Sequence, residues 1–357
     1  MESILITALT FFVILSILVF IHELGHFLVA KWAGILVEEF GFGLPPRLFG
    51  KKIGETMYSI NSLPIGGFVK LYGEDGDEPK KANISEGRSF TKKPKKIRAV
   101  ILVAGVFMNF VLAVGITTYL LTLGVPEPSG RVHVERVQQG SPAQQAELKE
   151  GDIIASIQGQ SISTPKQLIE KTKEHLGAEV LLVVIRNGNE QPIEVLARKD
   201  PPQGQGAIGI AISDLETKYY SVDRAPMEAV RINLWRGGEM LKGIGVLIWR
   251  VVTLQPVAED VAGPIGIAVV TGEAVRFGWK AVLEFMSILS LNLAVINILP
   301  IPALDGGRLA FLFAEKLLGR RFRPAFEQKT HQLGMIILIF LILLISINDI
   351  LRLAKGG

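Results

Sequence analysis

Residues Ile4–Ile21 contain no charged side chain and are dominated by Ile, Leu, Val, Phe and Thr. About 20 such residues suffice to cross a bilayer. No Lys or Arg precedes the run and no A-x-A follows it, which argues against a cleaved leader. The run therefore predicts a retained helix over 4–32. A second uncharged run, Ala99–Val125, follows the basic cluster Lys92–Arg98. A third, Ala281–Ile301, is interrupted only by Glu284 and by polar Ser and Asn. The fourth, Met335–Ile347, reads as the core of a helix beginning near Gln328. Four spans are expected. Composition agrees: 49% of the 357 residues are hydrophobic, and the mean hydropathy of +0.38 is too high for an ordinary soluble chain. There is no Cys, so any metal must be held by His, Asp or Glu. The net charge is a modest +4, and no nucleic-acid partner is expected.

Between spans two and three, residues 126–205 have a different character. VHVERV, DIIASI, EVLLVVIRNG and PIEVLA read as strands, Pro165–His175 as a helix and Asn187-Gly188 as a hairpin turn. The order S-P-A-x-x-A-x-L-x-x-G-D-x-I resembles a PDZ domain of the permuted bacterial type. Residues 226–252 are ambiguous. On a helical wheel Glu228, Arg231, Arg236, Glu239, Lys242 and Arg250 share an arc of about 140°, which favours a helix lying in the membrane interface over a fifth span. The fold class expected is thus a multi-span α-helical membrane protein of about four transmembrane helices, with a re-entrant β-hairpin and one inserted PDZ-like α+β domain. Its segments are 1–33 (first span), 34–98 (loop with a membrane-associated hairpin over 56–75), 99–125 (second span), 126–205 (PDZ-like), 206–275 (linker with the 226–252 helix), 276–307 (third span and L-D-G), 308–327 (basic) and 328–352 (fourth span).

Lys and Arg crowd the loop 33–98 and the segment after span three, including Arg308, Lys316, Arg320, Arg321 and Arg323. The positive-inside rule makes both cytoplasmic. The PDZ-like segment, with no basic excess, is then extracytoplasmic.

The first run ends in His22-Glu23-Leu24-Gly25-His26, the pattern HExxH. Four residues apart on a helix, His22 and His26 share a face and can grip one ion. Glu23 lies about 100° round, placed to take a proton from water that zinc has acidified. Three ionisable groups in a membrane helix are costly and call for a functional partner. A third donor is needed, and Asp305 in "NILPIPALDGGRL" is the candidate. Pro300 and Pro302 break the helix there, and Gly306-Gly307 permits a sharp turn. The alternative is that Asp305 only caps the helix that follows. Topology puts His22, His26 and Asp305 at similar depth.

With HExxH in the first span, an inserted PDZ-like domain and N-x-x-P-x-P-x-L-D-G in a late span, the chain resembles the site-2 protease family of intramembrane zinc metalloproteases. The likeness is to the bacterial branch containing the regulator of sigma-E protease, and it covers essentially the full length. The resemblance implies zinc as cofactor, His22, His26 and Asp305 as its ligands, Glu23 as catalytic acid/base and Asn297 as a substrate contact. It implies hydrolysis within the spans of single-span membrane proteins, such as anti-sigma factors or signal-peptide remnants, in the inner membrane. Membrane lipid and peptide ends at the PDZ-like domain are further partners. The best-studied relative carries two tandem PDZ domains, and this chain has room for one. A silent PDZ scaffold is the alternative, which the intact His22, Glu23, His26 and Asp305 oppose.

Hydrolysis needs an extended substrate backbone, and an exposed strand edge captures one by β-addition. "TMYSINSLPIGGFVKLYGED" (56–75) offers two β-prone runs around the turn signal Pro64-Ile65-Gly66-Gly67. Gly66, Gly67 and Phe68 are the expected substrate contacts there. By resemblance the segment is the family's re-entrant β-loop and Gly41-Phe42-Gly43 its G-F-G motif.

Overall fold

A computed structural model describes residues 2–74, 85–253, 255, 263–319, 322 and 324–354. Asp75, the end of the anticipated hairpin, and Arg320, Arg321 and Arg323 lie outside the described residues. Two compact units emerge, one of Met1–Leu120 with Val222–Gly357 and one of Leu121–Ser221.

The first unit opens with α1 (Glu2–Trp32), β1 (Val37–Ile53), β2 (Thr56–Leu71) and α2 (Lys95–Thr122). The second carries β3 (Val125–Val137), α3 (Pro142–Gln145), β4 (Ile153–Ile157), β5 (Gln160–Ser161), α4 (Pro165–Glu174), β6 (Glu179–Arg186), β7 (Asn189–Leu196) and β8 (Ile210–Lys218). The chain then returns to the first unit with α5 (Ala225–Val252), α6 (Pro264–Phe277), α7 (Trp279–Ile298), α8 (Asp305–Leu318) and α9 (Pro324–Ala354). Among the described residues, four helices are long and apolar enough to cross a membrane: α1, α2, α7 and α9. Their limits follow from local chemistry. After α1, Gly34 adopts a φ of +70°, and Ile35 N–H returns to Ala30 O at 2.9 Å, a glycine-terminated helix end. α7 stops at Ile298 because the residue before Pro300 is pushed into extended backbone, as Leu299 is at ψ 145°.

β1 and β2 form a sheet beside α1, but not the hairpin anticipated within 56–75. The turn is Gly54-Glu55, with Ile53 opposite Thr56. The two runs of β2 are not neighbours, because β1 passes between them: Gly41 faces Phe68 on one side and Ser59 on the other. The physical reason is length. β1 offers a partner to each run, and a bend at Pro64–Gly67 carries the chain past β1 instead of back on itself. Phe40 seats the sheet on α1, its ring centroid 4.7 Å from that of Phe27 and 5.4 Å from that of Phe20.

The second unit is PDZ-like, a sheet in the order β7-β6-β4-β3-β8 with β5 on β4. Asn187-Gly188 makes the expected two-residue turn, both at positive φ, with Arg186 opposite Asn189. Val132, Ile154, Leu168, Leu182 and Val184 form its core. Ser141 and Thr164 cap α3 and α4 by accepting from Gln144 N–H and Gln167 N–H. The unit extends past the 126–205 expected for it, since β8 pairs with β3 from Val125↔Lys218 to Val137↔Ile210. Its own residues alternate weakly, and the partner that orders them is distant in sequence.

Helix α5 keeps the anticipated length but does not lie apart from the spans. Asn233 donates to Thr117 Oγ1 of α2 at 3.0 Å, Arg236 pairs with Glu284 of α7 at 3.2 Å, and Met240 and Ile244 pack with Ala113, Leu291 and Val295. Gly237 also sits beside Leu291 and Val295, so α5 packs against α7. Helix α6 was not anticipated; its start is closed by Asp349 of α9, which accepts from Gly266 N–H at 2.9 Å and Gly263 N–H at 3.3 Å.

Candidate metal centre

His22 and His26 stand one turn apart on α1 and both are buried. Asp305 is the first residue of α8, which follows the break after α7. Its Oδ2 lies 3.0 Å from His22 Nε2 and 3.2 Å from His26 Nε2, and the two Nε2 atoms are 3.2 Å apart. A tetrahedral ion with bonds of about 2.0–2.1 Å holds its donors roughly 3.3 Å apart. The triangle is therefore within a few tenths of an ångström of what one zinc ion requires. Leu304, not Asp305, takes the N-cap position of α8, and the Asp305 carboxylate faces the His pair.

The ring nitrogens facing away from this triangle test the fit. His26 Nδ1–H donates to the Ile101 carbonyl of α2 at 2.8 Å, which leaves Nε2 as the lone-pair nitrogen. Such a partner fixes both tautomer and ring orientation. His22 Nδ1 lies 3.3 Å from the Asn109 amide, also on α2. Asn109 is fully buried, and its Oδ1 has no hydrogen-bond partner. Turning the amide over moves Nδ2 to the position without a partner and lets Oδ1 accept from His22 Nδ1–H. That is the protonation a metal at Nε2 demands. Ser290 Oγ of α7 donates to the Asn109 carbonyl at 2.8 Å and ties α2 to the third span. Gly105 of α2 lets the helices approach, because a Cβ there would run into His26 Nε2. The donor set, two neutral imidazoles and one carboxylate, fits zinc.

Asp305 reaches the pair through a tight turn. Ile301 N–H bonds Leu299 O at 2.7 Å and Gly307 N–H bonds Leu304 O at 3.0 Å. Ala303 has a φ of +79°, a conformation costing a side-chain-bearing residue about 1–3 kcal/mol. A Cβ on Gly306 or Gly307 would strike the backbone of Ile298–Ile301.

Glu23, one residue from His22, points elsewhere. Its Oε2 accepts from Val69 N–H at 3.1 Å. Val69 faces Phe40 of β1 on its other side, so Gly66–Leu71 lies with its outer edge along α1. Gly67 is against Phe20 and Glu23, and Gly66 against Val19. The structure thus brings together His22, Glu23, His26, Asp305 and the Gly66–Phe68 segment. Asn297, in the last turn of α7, is half-buried; among the described residues, no hydrogen bond joins its side chain to the His pair or Asp305. Asn109 was missed, although a lone Asn amid the apolar run of α2 is the kind of buried polar group that signals a partner.

What the bundle encloses is a metallopeptidase centre carried on helices able to cross a bilayer. By sequence the chain belongs to Peptidase family M50, whose description matches residues 10–341. A zinc metalloprotease of Fusobacterium nucleatum is 35% identical over 96% of this chain and 97% of its own. The regulator of sigma-W protease RasP of Bacillus subtilis is 30% identical over 97% of this chain and 99% of its own. A solved PDZ domain from Listeria innocua matches 23% of this chain and 92% of that domain, at 24% identity and a TM-score of 0.21. The chain is a zinc-dependent, multi-pass membrane metalloprotease.

Proposed function

We propose that this protease cuts a peptide bond inside the transmembrane segment of single-span membrane proteins, anti-sigma factors or signal-peptide remnants among them. The carrying observation is the contact between Glu23 and Val69 N–H, which sets a strand edge beside the His22–His26–Asp305 triangle. His22, His26 and Asp305 would hold a zinc ion, with Ile101 O and Asn109 fixing the rings, and the ion would supply Lewis acidity toward the scissile carbonyl and toward water. Glu23 accepts the proton of water and returns it to the leaving amine. The edge of Gly66–Leu71 takes the unwound substrate as an added strand, which displaces Glu23 from Val69 N–H, and Asn297 contacts it. An apolar groove of about 540 Å³ between Leu9, Val13, Ile17, Phe20 and Phe42 offers room for the substrate helix beside that edge.

The test is Glu23→Gln in the full chain, purified and given a model spanning peptide. Zinc content should be kept and cleavage lost. Zinc loss in this variant, or cleavage by Asp305→Ala, sinks the assignment. The Lys/Arg bias further supports a topology in which a reporter fused after Gly188 reads extracytoplasmic and one after Gly319 cytoplasmic. The opposite pattern overturns it.

A further inference from the structure

The turn that delivers Asp305 is held from outside by α9. Ala303 N–H donates to His331 Nδ1 at 3.0 Å. One turn on, Gly334 meets the same loop so closely that a Cβ would strike the Pro302 backbone. His331 and Gly334 are three residues apart and share one face of α9. The His331 ring also packs on Phe311 of α8, centroids 5.8 Å apart, while its Nε2 makes no hydrogen bond. Among the described residues, its one side-chain hydrogen bond therefore goes to Ala303, a non-glycine residue at positive φ two positions before the carboxylate.

We propose that His331 is a positioning residue for the metal centre: by accepting from Ala303 N–H it keeps Ala303, within the Leu299–Leu304 turn, at the positive φ that aims Asp305 at His22 and His26. It never touches metal or substrate. Without the acceptor, Ala303 N–H is left unpaired in a partly buried loop and Ala303 has less reason to remain at positive φ. The Asp305 carboxylate then samples positions outside the triangle. Gly334 serves the same end by letting α9 come near enough for the bond. The inference rests on the reading that Asp305 is a zinc donor.

The experiment measures zinc affinity by competition with a chelator, on the full-length chain in detergent, with thermal melts alongside. Metal binding is read without substrate, so it is separate from activity. His331→Ala should lose about tenfold in affinity, the lower end for outer partners of a metal site, with kcat falling and KM little changed. His331→Asn, whose Oδ1 replaces Nδ1 as acceptor, should recover parental affinity. Gly334→Ala should weaken zinc in the same direction. Gln332→Ala, one residue away and exposed, should bind as the parent does. Parental affinity in a folded His331→Ala chain overturns the proposal, as does an Asn variant no better than Ala. If His331→Ala does not fold, the Asn variant decides alone: parental affinity supports the bond, weak affinity refutes it. Asp305→Asn separates the two readings. Zinc retained there sinks the donor assignment itself, whereas zinc lost there but kept in His331→Ala sinks only the positioning role.

Discussion

The two units of this chain use the same residues in opposite ways. In the PDZ-like unit Val132, Ile154, Leu182 and Val184 are wholly inside, with Lys and Glu on the surface, the arrangement water imposes. In the helical unit the outer face of α9 shows Ile336, Phe340, Leu343 and Ile347 more than half exposed. Its interior holds Ser16, His22, His26, Asn109, Thr117, Asn233, Ser287 and Ser290. Where the solvent is hydrocarbon, apolar burial drives little, and polar contacts such as Thr117 Oγ1–Ser287 Oγ at 3.0 Å and close backbones hold helices together. Within that interior the ionisable groups have polar partners, Ile101 O for His26 and Asn109 for His22.

The sharpest way to break this comparison is to attack the polar interior. Asp305→Ala should cut hydrolysis roughly a thousandfold or more and release zinc, while the amide-exchange protection of β4 and β6 stays unchanged. Loss of protection in those strands would mean the two units do not fold on separate terms. Next in size, Leu182→Ala should destabilise the PDZ-like unit by about 3 kcal/mol, seen as faster exchange in β4 and β6, with zinc content untouched. A third effect is set by acid. Asp152 is buried, which alone raises its pKa, but bonds from Arg186 at 2.6 and 2.7 Å outweigh this and hold it below the usual carboxylate range. A carboxyl depressed by folding adds stability above its unfolded pKa of about 3.9 and loses it as pH falls through the folded value. Protection of this unit should therefore drop below about pH 4, and Asp152→Asn should lower the neutral-pH plateau and flatten that slope. An unchanged acid slope in the variant rules the pair out as its source. Smallest of all, Leu343→Ala on the outer face of α9 should shift the melting of the helical unit by no more than about 0.5 kcal/mol. A cost like that of Leu182→Ala would mean that α9 packs against protein there.

Legibility in the sequence followed the same divide. The four spans could be read because lipid demands long uncharged runs. The His22, His26 and Asp305 cluster could be read because HExxH is periodic on a helix and because Pro300 and Pro302 announce a break before Asp305. Asn109 and His331 escaped because each is a single polar residue whose meaning is a contact made by folding. The order of β1 and β2 escaped because β-prone runs do not declare which neighbour they choose. β8 and α6 were lost in a presumed linker: β8 has its partner in β3, and the short apolar run of α6 could belong to either helix or strand.

The proposed donors His22 and Asp305 lie 283 residues apart in the chain. A ribosome that has made α1, the β2 edge, α2 and the whole PDZ-like unit has made the proposed base and two of the three proposed donors, yet no complete site. The third donor arrives only with α8, and the α9 face that docks on its turn comes later still. The enzyme is thus unfinished for most of its own synthesis, while newly inserted helices lie nearby in the same bilayer. Order of translation here acts as a timer on a protease, written into nothing more than where one aspartate falls.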